Sequence, residues 1–216
     1  MTVVVYTEDC GHYDERWPWV VQVGVDEKIH HCRNTSDSLG AFPSFRLAAR
    51  WAKTHPFDIY PLATTAIWVD ACVEITSPTF VAEALVQMDQ KLLGYLPHPD
   101  RSTTEEELQA ADRWPAKYDA YEHREMVRFL GMTCLKTRGL WAMTVQVASP
   151  AARPLLENIW QITDDWSDES HTVLDQLILP FAARASDIAT LTPPLGTETG
   201  TLWANDWFVR HKHRKA

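Results

Sequence analysis

Residues Thr65-Ala66-Ile67-Trp68-Val69-Asp70 (TAIWVD) decide the fold. Five β-branched or apolar residues without a polar break describe a strand covered on both faces, the habit of a parallel sheet buried under helices. The run ends on a carboxylate, and the carboxyl end of such a strand is where open α/β sheets bind their ligands. Working outward, Thr2 to Thr7 (TVVVYT) reads as the first strand, closed by the turn Glu8-Asp9-Cys10-Gly11, and Trp19 to Val25 (WVVQVGV) as a second. Asn34 to Phe42 is polar and reads as loop. Ser44 caps a helix through Lys53 that turns Phe45, Ala48, Ala49 and Ala52 inward. Downstream, Ser77-Pro78 opens a helix from about Thr79 to Gln90, with Ser77 as cap. Lys91 to Tyr95 is a short strand and Pro97 to Ser102 a loop. Helices are predicted over Thr103 to Trp114, Ala116 to Phe129, Ala151 to Trp166 and Thr172 to Ala183, with a strand over Gly139 to Val145. Strands alternating with helices predict one α/β domain over residues 1–216, Rossmann-like, with a mostly parallel central sheet and helices on both faces.

Composition narrows the function classes. At 216 residues and 45% hydrophobic, the chain can bury one domain-sized core. A formal net charge of -9 argues against a duplex-binding protein, which needs a cationic excess against the phosphates. The only dense basic run, Arg210 to Lys215, suits a small polyanion such as a pyrophosphate. Cys10, Cys32, Cys72 and Cys134 form no Cys-x-x-Cys pair, which excludes a zinc ribbon and a disulfide scaffold. No window reaches the roughly 18 apolar residues of a membrane span, and no basic leader precedes an apolar run, so the expected compartment is cytoplasmic. Neither a Gly-x-Gly-x-x-Gly fingerprint nor a phosphate loop is present, which counts against an oxidoreductase or ATPase. The 10 tryptophans are core filler for the most part, with some available to a groove where sugars or bases stack.

Several residues carry chemistry-bearing side chains. Asp70 either holds a divalent ion that neutralises a diphosphate leaving group or caps the next turn. If its strand continues, Asp70, Cys72 and Glu74 share one face. Arg50 and Lys53 share a helix face just before that strand, as a diphosphate contact or as solvated surface. His98, Asp100 and Arg101 lie in the loop after a strand, where they contact substrate or belong to a turn held by Pro97 and Pro99. Asp175 and Gln176 interrupt an apolar helix (HTVLDQLILPF) and need partners if buried; gripping sugar or acceptor hydroxyls is one such role. His211 and His213 alternate, so both can face one ion, while Arg210, Lys212 and Arg214 draw phosphates. A frayed basic tail is the alternative, against which Trp203, Trp207 and Phe208 stand as anchors.

Residues 46–75 (RLAARWAKTHPFDIYPLATTAIWVDACVEI), 96–114 (LPHPDRSTTEEELQAADRW), 171–183 (HTVLDQLILPFAA) and 208–213 (FVRHKH), in that order, resemble a glycosyltransferase-like family first catalogued as a domain of unknown function. That family is similar to nucleotide-sugar transferases of the GT-A fold, and the likeness runs from about Ser44 to His213. The resemblance implies a GT-A-like fold and transfer of a sugar from a nucleotide-diphosphate sugar, a UDP-sugar first, to the hydroxyl of a small-molecule, glycan or protein acceptor. It implies Mn2+ or Mg2+ held by Asp70, His211 and His213, donor contacts from Arg50, Lys53, His98, Arg101 and Lys212, and a catalytic set of Asp175, Gln176 and Asp70. Residues 200–216 would close over the donor. Cys72 stands where the family's second metal carboxylate is expected, and hard ions prefer oxygen. Two other functions remain open: a non-catalytic glycan- or nucleotide-binding module, and a transferase acting on a modified base in nucleic acid.

Overall fold

The computed structural model describes residues 2–11, 17–25, 28–36, 42–111, 113, 120–129, 140–167, 175–194 and 205–211. In chain order its strands are β1 (Thr2–Cys10), β2 (Lys28–Ser36), β3 (Thr65–Val69), β4 (Val73–Ile75), β5 (Leu93–Pro97), β6 (Trp141–Ala148), β7 (Ile188–Thr190) and β8 (Phe208–Arg210). The helices are α1 (Phe45–Thr54), α2 (Pro56–Ile59), α3 (Phe80–Met88), α4 (Thr104–Ala111), α5 (Ala120–Phe129), α6 (Arg153–Asp165) and α7 (Asp175–Ala182). Six strands form the central sheet in the order β2-β1-β3-β6-β5-β7. Only β6 runs against the rest, so the carboxyl ends of β1, β2, β3, β5 and β7 line one edge. The fold is α/β with a mostly parallel sheet, as the alternating sequence pattern requires.

Strand periodicity divides the core in two. Val3 and Val5 of β1 face one layer with Ile67, Val69, Phe80, Val81 and Trp207, while Val4 and Tyr6 face the other with Trp68, Tyr95, Leu156, Ile159 and Leu177. The second layer is covered by α1 and α4 to α7, the first by α3 and a small ribbon of β4 and β8. Each such buried aliphatic side chain contributes about 1.5–3 kcal/mol, so the apolar strands of this sheet are its main stabiliser. At α1, Ser44 Oγ accepts from the Leu47 amide at 3.2 Å, the cap expected from sequence.

Three expectations are corrected. Trp19 to Val25 is not a strand: Trp19 makes a single bridge to Ile75, and Val21 and Val23 are 79% and 52% exposed. Its valines have no sheet to enter, because the place beside β1 is taken by β2. That strand includes Asn34 to Ser36, read above as loop; it is polar because it is an edge strand, paired to β1 from Thr2↔Lys28 to Cys10↔Ser36. At α3 the helix starts at Phe80, and Ser77 Oγ accepts from the Thr79 amide at 3.2 Å instead of capping the helix.

The end of the chain is anchored through β8. Val73 pairs with Arg210 and Ile75 with Phe208, Trp207 is fully buried, and its indole N–H donates to Glu83 Oε2 at 2.6 Å. Among the described residues, no helix is long and apolar enough to cross a membrane.

Candidate functional site

Period two along β1 carries the face of Val3 and Val5 onward to Thr7 and Asp9 at the carboxyl edge. Both side chains are polar where the strand leaves the core, yet each residue is only 4% exposed. The parallel register sets Arg33 opposite Thr7 and Asn34 opposite Glu8. Thr7, Asp9, Arg33, Asn34, Trp17, Trp19 and Ala71 together line a small recess of about 10 Å³, room for roughly one water, that opens to solvent. Its indole wall is built in: Trp19 Nε1 donates to the Val73 carbonyl at 3.0 Å, and the Arg33 guanidinium lies 5.5 Å from the Trp19 ring while donating to the Trp17 carbonyl. Trp17 also stacks on the His211 imidazole, ring centres 3.5 Å apart and 10° from parallel. Thr7 Oγ1 is buried and has no hydrogen-bond partner. A buried hydroxyl left unpaired costs about 1–3 kcal/mol, which a ligand entering this cavity would recover.

Beside the cavity, directly before Ala71, β3 delivers Asp70. Its amide donates to the Thr144 carbonyl at 2.9 Å, fixing the residue at the sheet edge. Its Oδ1 accepts from Trp68 Nε1 at 2.7 Å and lies 3.8 Å from Lys53 Nζ. Lys53 reaches there from the last turn of α1, donates to the Met143 carbonyl and lies 5.7 Å from the Trp68 ring centre. The Lys53 side chain is 6% exposed against 31% for Asp70, so the cation sits beneath the carboxylate. The structure thus brings Lys53 and Asp70 together; Arg50, one turn earlier on α1, is half-buried.

Asp70, Cys72 and Glu74 do not share a face, because the strand does not continue. A turn follows β3, closed by the Val73 amide on the Asp70 carbonyl at 2.9 Å. It sends Cys72 into the core at 1% exposure and turns Glu74 toward His211, whose Nε2 is 2.9 Å from Glu74 Oε2. The His211 amide donates to the Cys72 carbonyl at 2.8 Å, continuing the β4–β8 pairing. The tail therefore lies next to the Asp70 turn, but its imidazole is committed to Glu74 and Trp17. Among the described residues, no three His, Cys, Asp or Glu side chains converge as a metal site. Of the expected ligands that are described, Asp70 lies beside a lysine and His211 is paired with Glu74, while the Cys72 thiol is in the core. His213 and Lys212 lie outside the described residues, as does the side chain of Asp175.

His98 and Arg101 form a separate node at the end of β5. His98 Nδ1 accepts from the amides of Asp100 and Arg101 at 3.2 and 3.1 Å, and Arg101 Nη2 lies 2.9 Å from His98 Nε2. Arg101 Nε donates to Glu107 of α4, whose side chain is 4% exposed. Burial, then the neighbouring Arg101, pushes the His98 pKa down to about 4, with Arg210 adding to this and Asp100 opposing it. This neutral imidazole ties the loop into a turn, and neither residue lines the β1–β2 cavity. Gln176, second in α7, has a buried Oε1 without a hydrogen-bond partner.

The cavity lining was missed from sequence. Thr7 and Asp9 were assigned to a strand end and a turn, and Arg33 and Asn34 had no strand to place them. The signal available was the rule applied to Asp70: polar side chains at a strand's carboxyl end face the ligand edge.

No protein-family model matches the chain, and no curated protein matches it. Solved structures similar to it include galactosyltransferase LgtC in complex with donor and acceptor sugar analogs, at 11% identity and a TM-score of 0.41 over 88% of this chain and 73% of that one. The apo bifunctional glycosyltransferase WbbM is similar at 8% identity and TM-score 0.45, over 88% of this chain and 38% of its own. A glycosyltransferase involved in the glycosylation of the major capsid of PBCV-1 is similar at 7% and 0.37, over 76% and 68%. At these identities and scores the likenesses carry no assignment of activity.

Proposed function

We propose that this chain is a glycosyltransferase whose donor, a nucleotide-diphosphate sugar, lies across the carboxyl edge of the sheet, with its base against the β1–β2 recess and its diphosphate running over Ala71 toward Asp70. The observation that carries the reading is the cavity itself: two indoles, a buried carboxylate and an unpaired buried hydroxyl at the carboxyl edge of a mostly parallel sheet. Indoles offer π-faces to a base, Asp9 is an acceptor for a base N–H, and Thr7 Oγ1 can donate to a base carbonyl. A uracil presents both complements, an imide N–H flanked by carbonyls, and UDP-sugars are the first donors to test. Arg33, at the rim, is a cation for the phosphates.

In the transfer, the bond between the sugar's anomeric carbon and the diphosphate oxygen breaks, and the nucleoside diphosphate leaves with the electron pair. An acceptor hydroxyl oxygen bonds to that carbon and gives up its proton, which the departing diphosphate oxygen takes. Gln176, with its unpaired Oε1, and Asp175 are the residues proposed to meet hydroxyls of the sugar or acceptor. The test is release of nucleoside diphosphate from a panel of nucleotide sugars. One donor should be turned over, and Asp9→Asn and Trp17→Ala should reduce that turnover at least tenfold, the loss of about one strong ligand contact. A well-folded protein that turns over no donor yet binds glycans would favour the binding module instead.

A further inference from the structure

We propose that Lys53 is the cation of this site, neutralising Asp70 beneath the donor diphosphate so that the nucleotide binds without a divalent ion. The inference rests on the nucleotide reading above and deepens it. Asp70 is the one carboxylate that β3 delivers beside the cavity, and an unaccompanied carboxylate there would repel a diphosphate. Lys53 Nζ stands 3.8 Å from its Oδ1, on a side chain 6% exposed. At that spacing and depth the two opposite charges hold each other in place. One negative and one positive charge cancel.

A divalent ion on Asp70 would need further protein ligands beside the diphosphate oxygens. Among the described residues no three such side chains converge: the Cys72 thiol is buried in the core, Glu74 faces His211 at 2.9 Å, and Asp9 lies in the β1 wall of the recess. The ammonium is also anchored, not adventitious. It rises from the last turn of α1, it donates to the Met143 carbonyl, and Trp68, which holds Asp70 through its Nε1, offers Lys53 its ring at 5.7 Å. Sheet, helix and indole together fix one cation under one carboxylate.

Two measurements decide it. The first needs no donor: Mn2+ is titrated into the full chain and the free-ion EPR signal is followed. Wild type should leave Mn2+ free, or bind it at a site that Asp70→Asn leaves unchanged; uptake that Asp70→Asn abolishes would overturn the proposal, whatever the fate of the nucleotide reading. The second is calorimetry of UDP and of uridine in EDTA. Wild type should bind UDP as tightly as in Mn2+, and Lys53→Met should lose about tenfold or more in UDP affinity while keeping that for uridine, because only the diphosphate meets the exposed charge of Asp70. Retained uridine binding also reports that Lys53→Met is folded. UDP binding that EDTA abolishes, or that Lys53→Met leaves intact, would overturn the assignment. Absence of binding by both UDP and uridine would count against the nucleotide reading, with the Mn2+ titration still deciding the cation.

Discussion

Thr7 illustrates how a single residue can be costly to the free protein and useful to its complex. Its hydroxyl is buried without a partner, so Thr7→Val, which keeps the shape and removes the polar atom, should raise stability by about 1 kcal/mol in urea unfolding. The same change should weaken nucleotide binding, and a variant that loses stability instead would show that the hydroxyl is satisfied by the protein. His98 gives a pH signature. Its folded pKa, about 4, lies below the ordinary imidazole value near 6.5, so the unfolded chain binds the proton first. The resulting stability is fully present above about pH 6.5, falls as the pH drops toward 4, and changes no further below that. Thermal melts across this range should show a smaller acid loss in His98→Asn than in wild type, since the amide can accept the same two backbone N–H groups without titrating; equal losses would contradict the account.

Among the elements, the β4–β8 ribbon decides how the tail reaches the site. Trp207 is its anchor, buried against Phe80 at 5.4 Å and bonded to Glu83. Trp207→Ala should cost about 3–5 kcal/mol, measured by denaturant unfolding, and should release the His211 ring from Trp17. A loss under 1 kcal/mol would mean that β8 is not part of the folded core. Legibility also divides by element. Strands made of β-branched runs, such as TVVVYT and TAIWV, and helices with apolar stripes were readable, because burial itself writes those patterns. KIHHCRNTS was not, because an edge strand satisfies its backbone on one side and leaves its side chains half in water. WVVQVGV misled for the converse reason: it has strand composition but no free sheet edge to join. Period two failed after Asp70 because a turn, closed by one backbone hydrogen bond, resets the faces of Cys72 and Glu74.

At the scale of the molecule, the parallel direction of five strands gathers their carboxyl ends on one side, where β1 and β2 open the cavity and β3 presents Asp70. That placement is legible as a rule from TAIWVD alone, and Lys53 and Asp70 each stand out in the sequence, whereas their contact does not. The cavity was not legible, since its lining comes from Thr7, Trp17 and Arg33, far apart in sequence and joined only by the sheet. A nucleoside diphosphate is proposed to bind across this edge with its base against the recess. Isothermal titration of UDP into wild-type and Thr7→Val proteins tests it most directly. The account predicts saturable one-to-one binding by wild type and about tenfold weaker binding by Thr7→Val, the loss of roughly one buried hydrogen bond. Absence of binding by the folded wild type, or equal affinity in the two proteins, would contradict it.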